Sequence, residues 1–192
     1  MVDARTLPDD RFGYSVYTVV AHAEQWQIDL VEGVRKDINL TRATIPAHVT
    51  VRGTFHSIES LEEMRSLLKA TAAKQELARV RFSAQGWKFI EQDNGRHIGI
   101  MPCETTPDLL ALHKAFDAVI RPRSANAYPD DYRAHMTLCQ DCTDEQIEKA
   151  KHLAAGLDIG DGFDVTSAQL MGRVGPAFGG EWKLIESFPL RS

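Results

Sequence analysis

Apolar residues recur along this chain at two spacings, one typical of β-strands and one typical of α-helices. Residues 14–21 are rich in β-branched and aromatic side chains, which predicts a buried strand. Residues 24–38 instead repeat their apolar side chains at about one helical turn, which predicts a helix. The apolar positions of this helix are Trp26, Leu30, Val31 and Val34.

The rest of the chain also alternates between segments with strand-like spacing and segments with helix-like spacing. Strands are predicted over residues 47–56, 78–91, 97–102, 163–174 and 182–188 and around His135, and helices over residues 60–75, 107–119 and 143–155. Two helices begin with a capping box, Ser60 with Glu63 and Thr143 with Gln146. The predicted connections are a tight turn at Asn94-Gly95, a loop at 121–132 and a Gly-rich turn at 175–180.

The resulting order is β-α-β-α-β-β-α-β-α-β-β. The strands lack the continuous apolar runs of a large parallel sheet, so the order predicts an α+β fold with mixed or antiparallel sheets in two lobes. No low-complexity segment or long linker separates the halves. We therefore expect residues 1–192 to form one domain made of the two lobes.

Composition places the chain among ordinary globular proteins, with 43% hydrophobic and 26% charged residues. No stretch approaches the roughly 20 apolar residues of a membrane span. Residues 1–10 are polar and do not resemble a secretory signal, so a cytoplasmic location without membrane attachment is expected. Three cysteines, an odd number, favour reduced thiols over a disulfide framework.

The formal net charge of −5 limits the substrate. Proteins that hold long RNA usually carry a basic excess, because neutralising phosphates supplies much of the binding free energy. This balance favours a small nucleotide-like substrate or contact with an RNA terminus in a locally basic groove. No obligate protein partner is indicated.

A tetrapeptide pattern occurs twice, as His48-Val49-Thr50-Val51 and as His135-Met136-Thr137-Leu138. Side chains alternate along a strand, so the His and Thr of each copy share one face and the apolar residues share the other. Two such strands side by side would bring two imidazoles and two hydroxyls to one cleft.

This set of groups suits chemistry at a phosphodiester. One imidazole can accept a proton from the attacking hydroxyl or water, while the other gives a proton to the leaving oxygen. The threonine hydroxyls can donate to phosphoryl oxygens, and no metal or other cofactor is required. Paired histidines also predict a bell-shaped pH dependence whose limbs start from an unperturbed pKa of about 6.5.

The two tetrapeptides and their spacing resemble those of the 2H phosphoesterase superfamily, the bacterial 2'-5' RNA ligase and cyclic phosphodiesterase group. The resemblance implies two topologically similar lobes, with one motif strand from each lining a central groove. It implies that His48, Thr50, His135 and Thr137 are the catalytic set. Many relatives carry an arginine two residues after the second tetrapeptide, where this chain has Gln140, and this departure bears on substrate preference.

By this resemblance the expected activity is hydrolysis of a 2',3'-cyclic phosphate or 2'-5' phosphodiester at an RNA end or in a small nucleotide. Attack by a 5'-hydroxyl in place of water would make the same chemistry an RNA ligation without ATP. The sequence leaves open the direction of the reaction and which histidine is the base.

Further residues are candidates for substrate contact. Arg52 continues the alternation of His48 and Thr50, so it is expected on their face, where it would hold a phosphate; a salt-bridging role is the alternative. The others flank the second motif or belong to the predicted hairpin, where an aromatic ring would stack a base: Tyr132, Arg133, Gln140, Trp87 and Phe89.

Two alternatives belong to other classes of protein. One is a nucleotide or RNA sensor that binds in the same groove without catalysis, although binding alone needs no acid and base pair. The other is a zinc or thiol protein using Cys139 and Cys142, with His135 as a third zinc ligand. His113 is on a predicted helix with charged neighbours and is expected to be solvated.

Overall fold

The computed structural model describes residues 13–14, 16–40, 44–125, 132–175 and 180–192. Within these residues the chain forms strands β1 to β9 and helices α1 to α4. The strands are β1 Val16–His22, β2 His48–Phe55, β3 Ala78–Arg81, β4 Lys88–Glu91, β5 His97–Pro102, β6 His135–Cys142, β7 Gly162–Val165, β8 Ser167–Val174 and β9 Glu181–Pro189. The helices are α1 Gln25–Asp37, α2 Leu61–Ala72, α3 Pro107–Ile120 and α4 Asp144–Ala154.

Seven strands form one sheet in the order β4-β5-β6-β2-β1-β8-β9, and β3 pairs with β7 in a second, smaller sheet. Every pair of neighbouring strands in the two sheets is antiparallel. The predicted α+β fold is confirmed. Of the two predicted kinds of sheet, mixed and antiparallel, the antiparallel kind is observed. The succession β1-α1-β2-α2-β3 recurs as β5-α3-β6-α4-β7, so the two halves meet where β2 pairs with β6.

One face of the large sheet carries the hydrophobic core. Val49 of β2 and Met136 of β6 are fully buried there, and all four helices contribute residues to the same cluster. The capping boxes predicted at Ser60 and Thr143 are present and begin α2 and α4. Among the described residues, the opposite face carries a small apolar cluster of Val20, Ile45, Met171 and Trp182, and a groove lies beside it.

Two predicted long strands are each divided. The segment 78–91 gives β3 and β4, and the segment 163–174 begins in β7 and continues as β8, so each contributes to both sheets. Gly162 explains the close pairing of β3 with β7, because a Cβ there would lie 1.9 Å from the carbonyl oxygen of Val80. Gly86, with a φ of +68°, turns the chain between β3 and β4.

Other expectations are corrected or fall outside the described residues. Trp26, predicted on the apolar face of α1, is 44% exposed, and the buried face instead contains Gln27, Val31, Val34 and Arg35. The polar start at 1–10, residues 126–131 of the predicted loop and residues 176–179 of the Gly-rich turn lie outside them. No helix in the described ranges has the length and apolar character needed to cross a membrane.

Candidate active site

The four motif side chains meet in one groove on the face of the sheet opposite the core. Val49 pairs with Met136 across β2 and β6, which in an antiparallel pair sets His48 opposite Thr137 and Thr50 opposite His135. The two histidines are therefore diagonal to each other. The groove has a volume of about 300 Å³, and the residues lining it are Thr18, Arg35, Thr44, Ile45, His48, Thr50, Gly53, Thr54, Ile98, His135, Thr137, Gln140, Arg173 and Trp182.

Both imidazoles are oriented in the same way. The Nδ1 atom of His48 lies 2.8 Å from the carbonyl oxygen of Pro46, and that of His135 lies 2.9 Å from the carbonyl oxygen of Arg133. A carbonyl only accepts, so each Nδ1 carries the proton and donates it. Each Nε2 is then the nitrogen available for proton transfer.

The two histidines differ in their surroundings. Burial lowers the pKa of His48 to about 3, and the positive charges of His22, Arg35 and His135 add to this effect, while the hydrogen bond to Pro46 opposes it. The hydrogen bond of His135 is solvent-exposed, whereas that of His48 is partly buried. His48 is therefore neutral at neutral pH.

We expect His48 to stay neutral in the free protein as the pH falls to about 4. An imidazole in the unfolded chain binds a proton near pH 6.5, so the contribution of His48 to the free energy of unfolding is complete above that pH and is lost toward pH 3. NMR titration of its Cε1 proton, assigned with His48→Gln, measures the pKa. A midpoint near 6.5 in the native protein would contradict this assignment.

A β-bulge interrupts β2 immediately after the first motif. The consecutive residues Val20 and Val19 of β1 lie opposite Thr50 and Arg52, so Val51 is an extra residue. The extra residue of a bulge shifts the alternation of side chains by one position. The residues after it therefore point to the face opposite the one that regular alternation would give them.

The second motif strand has a bulge at the equivalent place. The consecutive residues Ile100 and Gly99 of β5 lie opposite Thr137 and Cys139, so Leu138 is the extra residue of β6. The order of buried and half-buried positions is identical along β2 and β6. The two motifs thus share their local backbone as well as their sequence pattern.

The prediction that Arg52 shares the face of His48 is wrong, because the bulge turns it toward the core side. Arg52 is 2% exposed, and its Nε lies 2.7 Å from Oδ1 of Asp117 on α3. The other oxygen of Asp117 accepts a hydrogen bond of 2.8 Å from Nε of Arg121. Arg52 is the salt-bridging residue that the alternative interpretation described.

Side chains from other elements hold the carbonyls at both bulges. On β6, Arg35 of α1 donates to the carbonyl oxygens of Thr137 and Leu138, each at 2.8 Å. Arg35 also donates to the carbonyl oxygen of Ile45 at 3.0 Å, three residues before His48, and pairs with Glu32. One buried guanidinium therefore links β6 and the segment that leads into β2 to α1.

On β2 the equivalent carbonyls are held by two residues. The hydroxyl of Tyr132 donates to the carbonyl oxygen of Thr50 at 2.9 Å, and Nδ1 of His113 lies 2.8 Å from the carbonyl oxygen of Val51. The two rings stack with centroids 4.0 Å apart. His113 is thus a packed residue and not the solvated one that was predicted, and Tyr132 supports β2 from outside the groove lining.

The remaining candidates divide between the groove and other regions. Gln140 lines the groove, while Arg133 is exposed and outside the lining, with its carbonyl bound to His135. Trp87 and Phe89 line a separate cavity of about 720 Å³, walled also by α4. These two rings therefore lie outside the groove that contains the histidines, and base stacking on them stays a prediction.

The structure also opposes the zinc alternative. Cys139 and Cys142 are fully buried in the core, whereas His135 lines the groove. The bulge at Leu138 turns Cys139 away from the face of His135. In the described part of the chain, no group of three or more His, Cys, Asp or Glu residues is placed to hold a metal ion. A hydrogen bond from the Cys142 thiol lowers the pKa of Cys139 and raises that of Cys142.

Three charged or aromatic groove residues were missed by the sequence analysis: Arg35, Arg173 and Trp182. Arg35 could have been found, since it lies one helical turn after the apolar Val31 on the buried face of α1. Of the described residues that line the groove, none carries a carboxylate. The described part of the groove lining thus contains two arginines and no acidic residue, in a protein of net charge −5.

Comparisons with known proteins identify the family and the fold. The sequence model of the 2'-5' RNA ligase superfamily matches residues 19–177. The structure is similar to TT0787 of Thermus thermophilus, with a TM-score of 0.62 and 16% identity over 92% of this chain and 98% of that one. It is also similar to LigT of Escherichia coli complexed with 3'-AMP, with a TM-score of 0.56 and 12% identity over 92% and 98% of the two chains. No curated protein matches the sequence significantly.

Proposed function

The chain belongs to the 2'-5' RNA ligase superfamily, and from that premise we propose that it is a metal-independent phosphoesterase acting on a 2',3'-cyclic phosphate or 2'-5' phosphodiester. The substrate is an RNA terminus or a small nucleotide. The observation that carries this proposal is the groove itself. Two imidazoles present Nε2 there beside two threonine hydroxyls and two arginines, with no carboxylate among the described lining residues.

His48 is the base in this proposal and His135 the acid. A neutral His48 has a free lone pair on Nε2, and the lowered pKa keeps it neutral before substrate binds. The negative charge of a bound phosphate then raises its pKa and makes it a better proton acceptor. In the pH profile of kcat/KM, the midpoint of the limb that His48 governs is therefore expected well below pH 6.5. An unperturbed imidazole would give a midpoint near pH 6.5.

Hydrolysis of a cyclic phosphate then proceeds in one displacement. His48 Nε2 accepts a proton from water as the water oxygen bonds to phosphorus. The bond from phosphorus to O3' breaks, and His135 Nε2 donates its proton to O3'. Thr50 and Thr137, whose side chains line the groove, donate to the phosphoryl oxygens. The product is a 2'-phosphate with a free 3'-hydroxyl.

The same geometry accommodates ligation when a 5'-hydroxyl takes the place of the water. His48 would accept the proton of that hydroxyl, and the leaving O3' would again be protonated by His135. The new bond is a 2'-5' phosphodiester. The balance between the two directions depends on whether water or a ribose hydroxyl occupies the position of the nucleophile.

A substrate panel tests this function. It contains 2',3'-cyclic mononucleotides, a cyclic ADP-ribose phosphate, a 2'-5' dinucleotide, and RNA halves with cyclic and 5'-hydroxyl ends. We expect opening of a cyclic phosphate to the 2'-phosphate, identified by phosphorus NMR against the 3' isomer. The rate should be unchanged by millimolar EDTA.

The control for the panel is the double variant H48A/H135A, which reports contaminating activity. A 3'-phosphate product would reject the assignment of O3' as the leaving group. Loss of the rate with EDTA and its return with zinc would reject a metal-independent mechanism. Lack of turnover of every cyclic and 2'-5' substrate would reject the proposed function.

A further inference from the structure

The groove extends well past the four motif side chains. At its end on β8 and β9 it is lined by Arg173 and Trp182, which are directly opposite each other in the pairing of these strands. The guanidinium carbon of Arg173 lies 4.4 Å from the centroid of the Trp182 ring. Trp182 also packs against the apolar cluster on the groove face of the sheet. A half-buried aromatic ring is thus held in place in the groove wall.

Strand pairing gives the separation of this ring from the motifs. On β1, Thr50 lies opposite Val20 and Arg173 lies opposite Val16, four residues away. Four residues rise about 13 Å, and β2 and β8, on either side of β1, are about 10 Å apart, so the backbones at Thr50 and Arg173 are separated by about 16 Å. A nucleotide whose cyclic phosphate touches the motif side chains would not bring its own base to Trp182.

The groove between these two ends suits a polyanion. Thr18, Gly53 and Thr54 line its middle, and they add no negative charge. Gly53 has open space where a Cβ would be, so the wall is shallow there. Phosphate repulsion from protein carboxylates is therefore absent along the described lining.

We infer that Arg173 and Trp182 form a subsite for a second nucleotide, the one that precedes the cyclic phosphate terminus. The inference rests on the proposed function, because that function places the terminal cyclic phosphate at the two histidines. The base of the second nucleotide stacks on the layer made by the indole and the guanidinium. The positive charge of Arg173 attracts the phosphate that joins the two nucleotides. The preferred substrate is an RNA end of at least two nucleotides.

The test compares two substrates that share the same reacting end: cytidine 2',3'-cyclic phosphate, and a dinucleotide with adenosine 5' to that cytidine. One stacked base contributes roughly 5- to 160-fold. We expect kcat/KM to be higher for the dinucleotide by at least about fivefold. Trp182→Ala should bring the ratio toward one, and Trp182→Phe should keep most of it. Leu184→Ala, an exposed residue on the same strand, is the control.

A wild-type ratio near one would overturn the inference, as would an equal loss of both substrates in Trp182→Ala without rescue by phenylalanine. If Trp182→Ala does not fold, Arg173→Gln tests the same subsite, and its dinucleotide rate should depend less on salt. Calorimetric binding of the two 2'-phosphate products gives a readout independent of turnover. If no cyclic phosphate is hydrolysed, the proposed function fails, and the binding measurement still tests the subsite. Equal affinities for the two products would then reject the subsite as well.

Discussion

Alanine in place of His48 or of His135 is expected to lower kcat/KM for a 2',3'-cyclic phosphate by about 10²- to 10⁴-fold, the usual contribution of a general acid or base. Each ring is half-buried, and its Nδ1 donates to a backbone carbonyl. Its Nε2 therefore faces the groove and has no structural role. Loss of either ring removes one proton transfer and leaves the core intact. Steady-state kinetics, with circular dichroism to establish folding, checks the result.

The double variant should lose little more than the stronger single variant, because residues that act as one unit are not additive. His152→Ala is the matched control, since His152 is exposed on α4. A loss below about tenfold in both folded single variants would exclude paired histidine catalysis. Nucleotide binding by a wild-type protein that turns nothing over would identify the binding module instead.

The part of the site that the sequence predicts is the part that local geometry determines. His48 and Thr50 are two residues apart in a strand, and a regular strand places them on one face. The same rule fails for Arg52, although it continues the alternation. The β-bulge at Val51 has no signature in the sequence, and only the pairing with β1 reveals it. The rule extends as far as the strand stays regular.

Long-range pairing explains the other differences between prediction and structure. The segment 78–91 has strand character throughout, yet β3 and β4 join different sheets because Gly162 lets β7 approach β3. The sequence predicts a strand at Trp182, but the position of this residue in the groove depends on the order β1-β8-β9. Such an order is a property of the whole chain and cannot be obtained from periodicity.

The repeated bulges add to the case for two equivalent halves. Carbonyls at both bulges are held by side chains from outside the motif strands, namely Arg35 in one half and Tyr132 with His113 in the other. A backbone carbonyl away from water needs a donor, and a bulge leaves its carbonyls without strand partners. The irregular backbone that follows each motif is therefore sustained by these donors.

Arg35→Met is expected to reduce both stability and activity, because Arg35 joins β6 to the segment that leads into β2. Its side chain is 5% exposed, and methionine would leave three carbonyl oxygens without their donor. Each buried acceptor left without its donor costs about 1–3 kcal/mol of unfolding free energy, so a total loss of roughly 3–5 kcal/mol is expected. Displacement of the motif residues by about 1 Å would lower kcat by roughly 10²-fold. Urea unfolding and steady-state kinetics measure the two effects.

Further variants separate positioning from loss of fold. Arg35→Lys keeps the charge without the planar fork, so it should recover stability only in part. Removing the charge in Arg35→Met should raise the pKa of His48, since the positive charge of Arg35 lowers it, and NMR titration follows this change. Arg65→Met, which removes an exposed ion pair with Glu186, is the control and should cost about 1 kcal/mol or less. Equal losses of unfolding free energy in Arg35→Met and Arg65→Met, with the pKa of His48 unmoved, would show that Arg35 does not position the motifs.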